Sequence, residues 1–277
     1  MNIEILEMED TRAKLLIYNA DPQLVNALRR TLIADIPKMA IEFVDFHLGP
    51  IGSGESGRVA DGSSPLFDEI IAHRLGLIPI PTDLDMFRFK DECEHGPEES
   101  CELCTITYTL HKVGPCTVYS GDLEPVNGGQ YRPKDPLIPI VKLDEGQAIY
   151  ITAYAVLGTA KEHAKWQVTN GVGYQYYPTV ILDSGKCSAC DRCLEICPKN
   201  VFEKAGDEVV VRNPENCSLC GACVRECDGV TIKEDRTKFI LRYETDGSLS
   251  AKETLEYALE ILSGRFEDFR ESISDMK

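Results

Sequence analysis

Apolar positions recur along the chain with two different periods, and each predicts a different element. In ADPQLVNALRRTLIADIP, residues 20–37, Leu24, Leu28 and Leu32 fall every four residues with Val25 and Ile36 beside them. That spacing gives one apolar stripe on a helix. Asp21 suits the N-cap, Pro22 the first helical position, and Pro37 ends the segment because the residue before a proline is pushed out of the α region. A helix covering its own core accounts for such a stripe. The last segment, Ser250 to Lys277, opens with the capping box Ser250–Glu253. Leu255, Leu259, Leu262, Phe266, Phe269 and Ile273 then alternate spacings of four and three. This seam is narrower than the stripe of a helix lying on a sheet, and it suits packing against another helix, in this chain or in a second one.

Between these helices the pattern changes to β-branched and aromatic runs. Ile3–Leu6 and Ala13–Tyr18 flank the polar turn EMEDTR, and MAIEFVDFHLGPI follows the first helix. TITYTL, CTVYS and QAIYITAYAVL alternate with Gly-, Pro- and Asn-rich breaks between residues 105 and 158, and KFILRYET covers 238–245. A short helix is expected over 65–75, with Ser64 as cap and Pro65 at its first position, stopped by GLIPIP. GSGESG at 52–57 matches a dinucleotide-binding spacing by letter. The loop sequence RVADGSSP follows it where a helix should open, so it reads as a plain loop.

Composition narrows the function. With 46 acidic against 29 basic residues the 277-residue chain carries a formal charge of −17. Duplex binding rests on Lys and Arg neutralising phosphates, so little direct nucleic acid contact is expected. The first residues lack an apolar core, and no stretch approaches the roughly 18 apolar residues of a membrane span. A cytoplasmic, membrane-free protein is expected.

Twelve cysteines in such a chain point to metal. CSACDRCLEICP at 187–198 and CSLCGACVRECD at 217–228 both space their cysteines C-x2-C-x2-C-x3-C. This is the ferredoxin arrangement for two four-iron clusters, in which the fourth cysteine of each run ligates the other cluster. One cluster would use Cys187, Cys190, Cys193 and Cys227, the other Cys217, Cys220, Cys223 and Cys197. The small residues Ser188, Ala189, Gly221 and Ala222 let the backbone approach the sulfurs, and Asp228 stands where the first run has Pro198. Two [4Fe-4S] clusters are the expectation, one of which can be [3Fe-4S]; two four-cysteine zinc sites are the alternative. A second group, Cys93, His95, Cys101 and Cys104, offers four N/S ligands for zinc, against free thiols in an acidic loop. Cys116 has no evident partner and reads as a small buried side chain. No nucleophile motif accompanies His73 or His163, whose expected roles are packing and interface hydrogen bonds, so no catalytic residue is assigned.

Three separated blocks carry a resemblance. NALRRTLIADIP at 26–37 and LFDEIIAHRLGLIPIP at 66–81 resemble the α-like assembly subunits of cellular RNA polymerases. AVLGTAKEHAKWQ at 155–167 resembles the archaeal and eukaryotic branch. With the iron–sulfur insert, the chain is most similar to the α-like assembly subunits of archaeal DNA-directed RNA polymerase. The resemblance implies an α+β protein: a discontinuous α-like dimerisation domain (1–48 and 230–277), a mixed strand-rich insert domain (49–172) and a ferredoxin-like iron–sulfur domain (173–229). It implies a non-catalytic scaffold that pairs with a small α-like partner, subunit L, and docks the large catalytic subunits and other assembly subunits in transcription. It further implies contact between Arg29 and Arg30 and those large subunits; a solvated helix face is the other reading. Eukaryotic relatives carry zinc in the region of Cys93–Cys104. The clusters would then be structural or redox-regulatory. An electron-transfer subunit of a cytoplasmic oxidoreductase is the competing reading of the ferredoxin motif.

Overall fold

The computed structural model describes residues 1–52, 59–95, 99–126, 128–188, 190–206 and 208–274. Most of the GSGESG stretch, and Ala189 between two cysteines, therefore lie outside the described residues. In chain order the strands are β1 (Asn2–Met8), β2 (Arg12–Tyr18), β3 (Lys38–Phe46), β4 (Pro50–Gly52), β5 (Val59–Asp61), β6 (Thr105–Val113) and β7 (Cys116–Tyr119). They continue with β8 (Glu124–Pro125), β9 (Pro139–Leu143), β10 (Ala148–Gly158), β11 (Thr169–Leu182), β12 (Phe202–Ala205), β13 (Glu208–Val211) and β14 (Val230–Thr245). The helices are α1 (Pro22–Ala34), α2 (Asp68–Gly76), α3 (Arg192–Ile196), α4 (Ala222–Glu226) and α5 (Ala251–Ser274). The chain divides into two compact units, Met1–Arg29 with Gly171–Tyr243 and Arg30–Asn170 with Glu244–Lys277.

The first unit is built on a sheet in the order β1-β2-β14-β11. Ala13, Leu15 and Ile17 alternate inward along β2, and Phe239 to Leu241 are buried in β14. Tyr174 and Tyr176 of β11 pack their rings on Phe239 at 5.8 and 5.3 Å. The cysteine-rich segment has its own small core, in which Val201, Phe202, Val209 and Val230 surround Cys193, Cys217 and Cys223. Helix α1 begins at Pro22 as its cap sequence predicts. Its buried face is Val25, Leu28, Thr31 and Leu32, with Leu24 only half-buried. Arg29 is half-buried, its Nε donating to Asn26 Oδ1 at 3.1 Å, and Arg30 is exposed.

The second unit centres on a sheet in the order β3-β10-β6-β8. One face of it, including Met39, Ile41, Ile106, Leu110 and Ile151, buries against Ile71 and Leu75 of α2. Helix α2 starts at Asp68, three residues later than Pro65 predicts. Ser64 does not cap it: its Oγ donates to the Leu66 carbonyl at 2.6 Å, and Phe67 remains extended at φ −63°, ψ 147°. The proline thus belongs to a turn ahead of the helix.

The returning segment, residues 244–277, is bound into this unit by charge as well as by packing. Lys38, 3% exposed, places Nζ 2.5 Å from Asp246 Oδ2. Asp246 Oδ1 accepts the N–H and hydroxyl of Ser248, and the Thr82 N–H donates to the Ser248 carbonyl at 2.9 Å. A buried lysine is tolerated only when so paired. The sheet's other face is sealed at one end by Trp166, whose Nε1 donates to the Val156 carbonyl at 3.1 Å. A Cβ on Gly158 would lie 2.4 Å from that indole, so only glycine fits there.

Candidate metal centres and docking surfaces

The two cysteine runs fold alike. Each has a short helix, α3 or α4, preceded by a residue in the left-handed region: Asp191 at φ 61° and Gly221 at φ 69°. Asp191 adopts this with its carboxylate held by Lys204 Nζ at 2.6 Å. The turn aims backbone N–H groups at the second cysteine of each run. The Cys190 thiol is lowered from its ordinary value chiefly by the Arg192 N–H and also by Ser188; the Ala222 N–H and Ser218 do the same for Cys220. Both of these cysteines are exposed, whereas Cys193, Cys217 and Cys223 are buried.

The thiols divide crosswise. Burial raises Cys193, and the neighbouring Cys187 and Cys227 raise it further. Burial likewise raises Cys223, with Cys217 and Cys197 adding to it. A cavity is lined by Cys197, Cys217, Cys220 and Cys223 among apolar residues such as Val201, Phe202 and Ile232. Four thiols around an apolar hollow, with backbone N–H donors beside them, fit an iron–sulfur cluster. Gln175 Nε2 ties the rim by donating to the Cys217 carbonyl at 3.1 Å.

The second group converges too. The ligand atoms of Cys93, His95, Cys101 and Cys104 all lie within 4.8 Å of one another. The sulfurs of Cys101 and Cys104 are 3.7 Å apart and those of Cys93 and Cys101 3.9 Å. His95 Nε2 is 3.2 Å from Cys101 Sγ and 3.4 Å from Cys104 Sγ. A tetrahedral cation with sulfur ligands at about 2.3 Å has S···S edges of about 3.8 Å, so these side chains fit such an ion. Burial and the adjacent Cys101 thiol push Cys93 up to about 11, while the Leu103 N–H foremost lowers Cys101. A bound cation would override both shifts.

The third feature is α5. Its capping box forms as predicted: the Ser250 N–H donates to Glu253 Oε2 at 2.9 Å and the Glu253 N–H donates to Ser250 Oγ at 3.2 Å. The first half of the helix buries Ala251, Thr254, Leu255 and Ala258. The second half leaves the same seam bare: Phe266 is 58%, Phe269 65% and Ile273 47% exposed. Between the halves, Arg265 Nη1 meets Asp35 Oδ2 at 2.5 Å and Lys161 Nζ meets Oδ1 at 2.5 Å. Burial alone would raise the Asp35 carboxyl; hydrogen bonds from Arg265 and Lys161 outweigh it and hold the group to about 2.

Other expected positions stay apart from these features. His73 is exposed on α2, and His163 is exposed with its Nδ1 accepting the Lys165 N–H at 3.1 Å. Cys116 is half-buried against the sheet core, its Sγ 3.6 Å from the Val113 carbonyl. Sequence reasoning misses the Asp35–Arg265 and Lys38–Asp246 pairs. Their partners lie 230 and 208 residues apart, and no local pattern signals such a contact.

Residues 58–175 match the RNA polymerase Rpb3/RpoA insert domain, and residues 179–228 match a 4Fe-4S dicluster domain. The DNA-directed RNA polymerase subunit Rpo3 of Picrophilus torridus is 46% identical, over 99% of this chain and 100% of its own length. That of Thermoplasma volcanium is 48% identical over 99% and 100%, and that of Archaeoglobus fulgidus 39% over 99% and 98%. With an Rpb3/RpoA insert, a dicluster domain and end-to-end identity of this degree, the chain belongs to the archaeal DNA-directed RNA polymerase subunit Rpo3 family.

Proposed function

We propose that this chain is the non-catalytic assembly subunit of a cytoplasmic archaeal RNA polymerase. It pairs with a small α-like partner, subunit L, and presents a surface for the large catalytic subunits, Arg29 and Arg30 contributing to it. Phosphoryl transfer belongs to those other chains. The observation that carries the reading is the bare second half of the α5 seam. An exposed apolar seam at heptad spacing on an otherwise highly charged chain fits a partner helix.

The domain scheme that goes with this reading keeps the two chain ends, 1–48 and 230–277, as one dimerisation domain, with 49–172 and 173–229 inserted. Within the insertion, Cys187, Cys190, Cys193 and Cys227 hold one [4Fe-4S] cluster, and Cys217, Cys220, Cys223 and Cys197 hold the other. Bound clusters would supply covalent cross-links and a one-electron centre; the protein's part is to bury three of the thiols, orient the two exposed ones with N–H donors and exclude water. Cys93, His95, Cys101 and Cys104 hold zinc, which closes the loop ahead of β6. The near-tetrahedral ligand spacing supports that choice.

The test is an anaerobic affinity purification of the tagged chain from its own cells, with mass identification of the proteins that accompany it. Polymerase subunits and template-dependent RNA synthesis in the eluate are expected. A flavoprotein or dehydrogenase in their place would overturn the reading.

A further inference from the structure

One face of the β3-β10-β6-β8 sheet is buried on the core, and the other should therefore be polar along every strand. It is not. At one end Ala40 and Val156 are covered by Trp166. Beyond that indole the same face continues with no covering layer among the described residues. The next row across the strands pairs Phe43 with Tyr154 and Tyr154 with Thr107, whose carbonyl accepts the N–H of Val126. Phe43 is 58% and Val126 63% exposed. The last row stacks His47 on Tyr150 with ring centroids 4.4 Å apart, and His111 meets the same ring edge-on at 5.5 Å.

The row between these two is polar and one-signed. Asp45 pairs with Thr152, Thr152 with Thr109, and Thr109 with Glu124. A carboxylate thus stands at each end, and none of the three rows contains Lys or Arg. Arg132, itself exposed, reaches Glu124 from outside the rows at 3.6 Å. Aromatic strips flanking an acid-ended strip make a surface for a segment with aliphatic stems and cationic heads, because Lys and Arg lay their methylenes on rings and their charges on carboxylates.

We propose that this face is a second docking surface, whose occupant is a Lys/Arg-rich segment of another polymerase subunit. The occupant rests on the polymerase reading; the surface itself is separate from α5. It continues the seat that Trp166 already fills from within the chain.

The test uses polymerase assembled with the full-length chain carrying a photo-crosslinking amino acid at position 43, 154 or 269. Positions 43 and 154 should link to a basic segment of a neighbouring subunit. The exposed double variant Asp45→Lys/Glu124→Lys should lower that crosslink about tenfold at physiological salt while leaving the position 269 crosslink unchanged. No interchain product from 43 and 154 while 269 links would overturn the proposal and spare the polymerase reading; so would links confined to an acidic segment. Failure of 269 as well would overturn both.

Discussion

The two halves of α5 carry one apolar pattern and meet opposite fates. Leu255, 8% exposed, and Ala258, 0%, lie in the core, whereas Phe269, two heptads on from Leu255, is 65% exposed. A heptad seam specifies that a face must be covered and leaves open by what. Here the chain supplies the cover for the first half. The Arg265–Asp35–Lys161 cluster marks where its own cover ends.

The sharpest way to test that contrast is to truncate one side chain in each half. Leu255→Ala should cost the isolated chain about 3 kcal/mol, read from chemical denaturation, because it opens a cavity in a packed core. Phe266→Ala/Phe269→Ala should leave that stability within about 0.5 kcal/mol. Its cost should appear in binding, as a loss of about 2 kcal/mol, or roughly 30-fold, in affinity for the small α-like partner. Equal losses of stability from both variants would erase the distinction between the halves.

A smaller effect is expected at the boundary. Arg265→Ala should destabilise by about 1 kcal/mol, since Arg265 is 47% exposed and Lys161 still faces Asp35. The same cluster has a pH signature. Asp35 is held to about 2, below its unfolded value, so its contribution is fully present above about pH 4 and is lost as pH falls toward 2. Asp35→Asn should flatten the stability profile in that window, measured as midpoint against pH. An unchanged acid slope would remove Asp35 from the account.

What the sequence shows and what it hides follow the same division between local and distant. The start of α1 at Pro22, the Ser250–Glu253 box and the ferredoxin spacing are written within a few residues, and each is legible. Spacing also suggests the convergence of Cys93, His95, Cys101 and Cys104, although the geometry that brings all four within 4.8 Å depends on the loop's path. The start of α2 is misplaced because Ser64 and Pro65 form a plausible cap sequence, while the serine hydroxyl donates to a carbonyl instead of accepting from the helix. Lys38 gives no sign of burial; its partner Asp246 becomes its neighbour only once the chain returns. The bare sheet face is hidden for a related reason: Phe43 and Tyr154 look like ordinary strand residues until the cover over this face is seen to reach, among the described residues, only Ala40 and Val156 under Trp166.

The most direct measurement is amide hydrogen exchange along α5, in the isolated chain and in its complex with the small α-like partner. Residues 251–258 should be protected in both states, and residues 264–274 only in the complex. A complex that forms while exchange at 264–274 stays as fast as in the isolated chain would contradict that expectation.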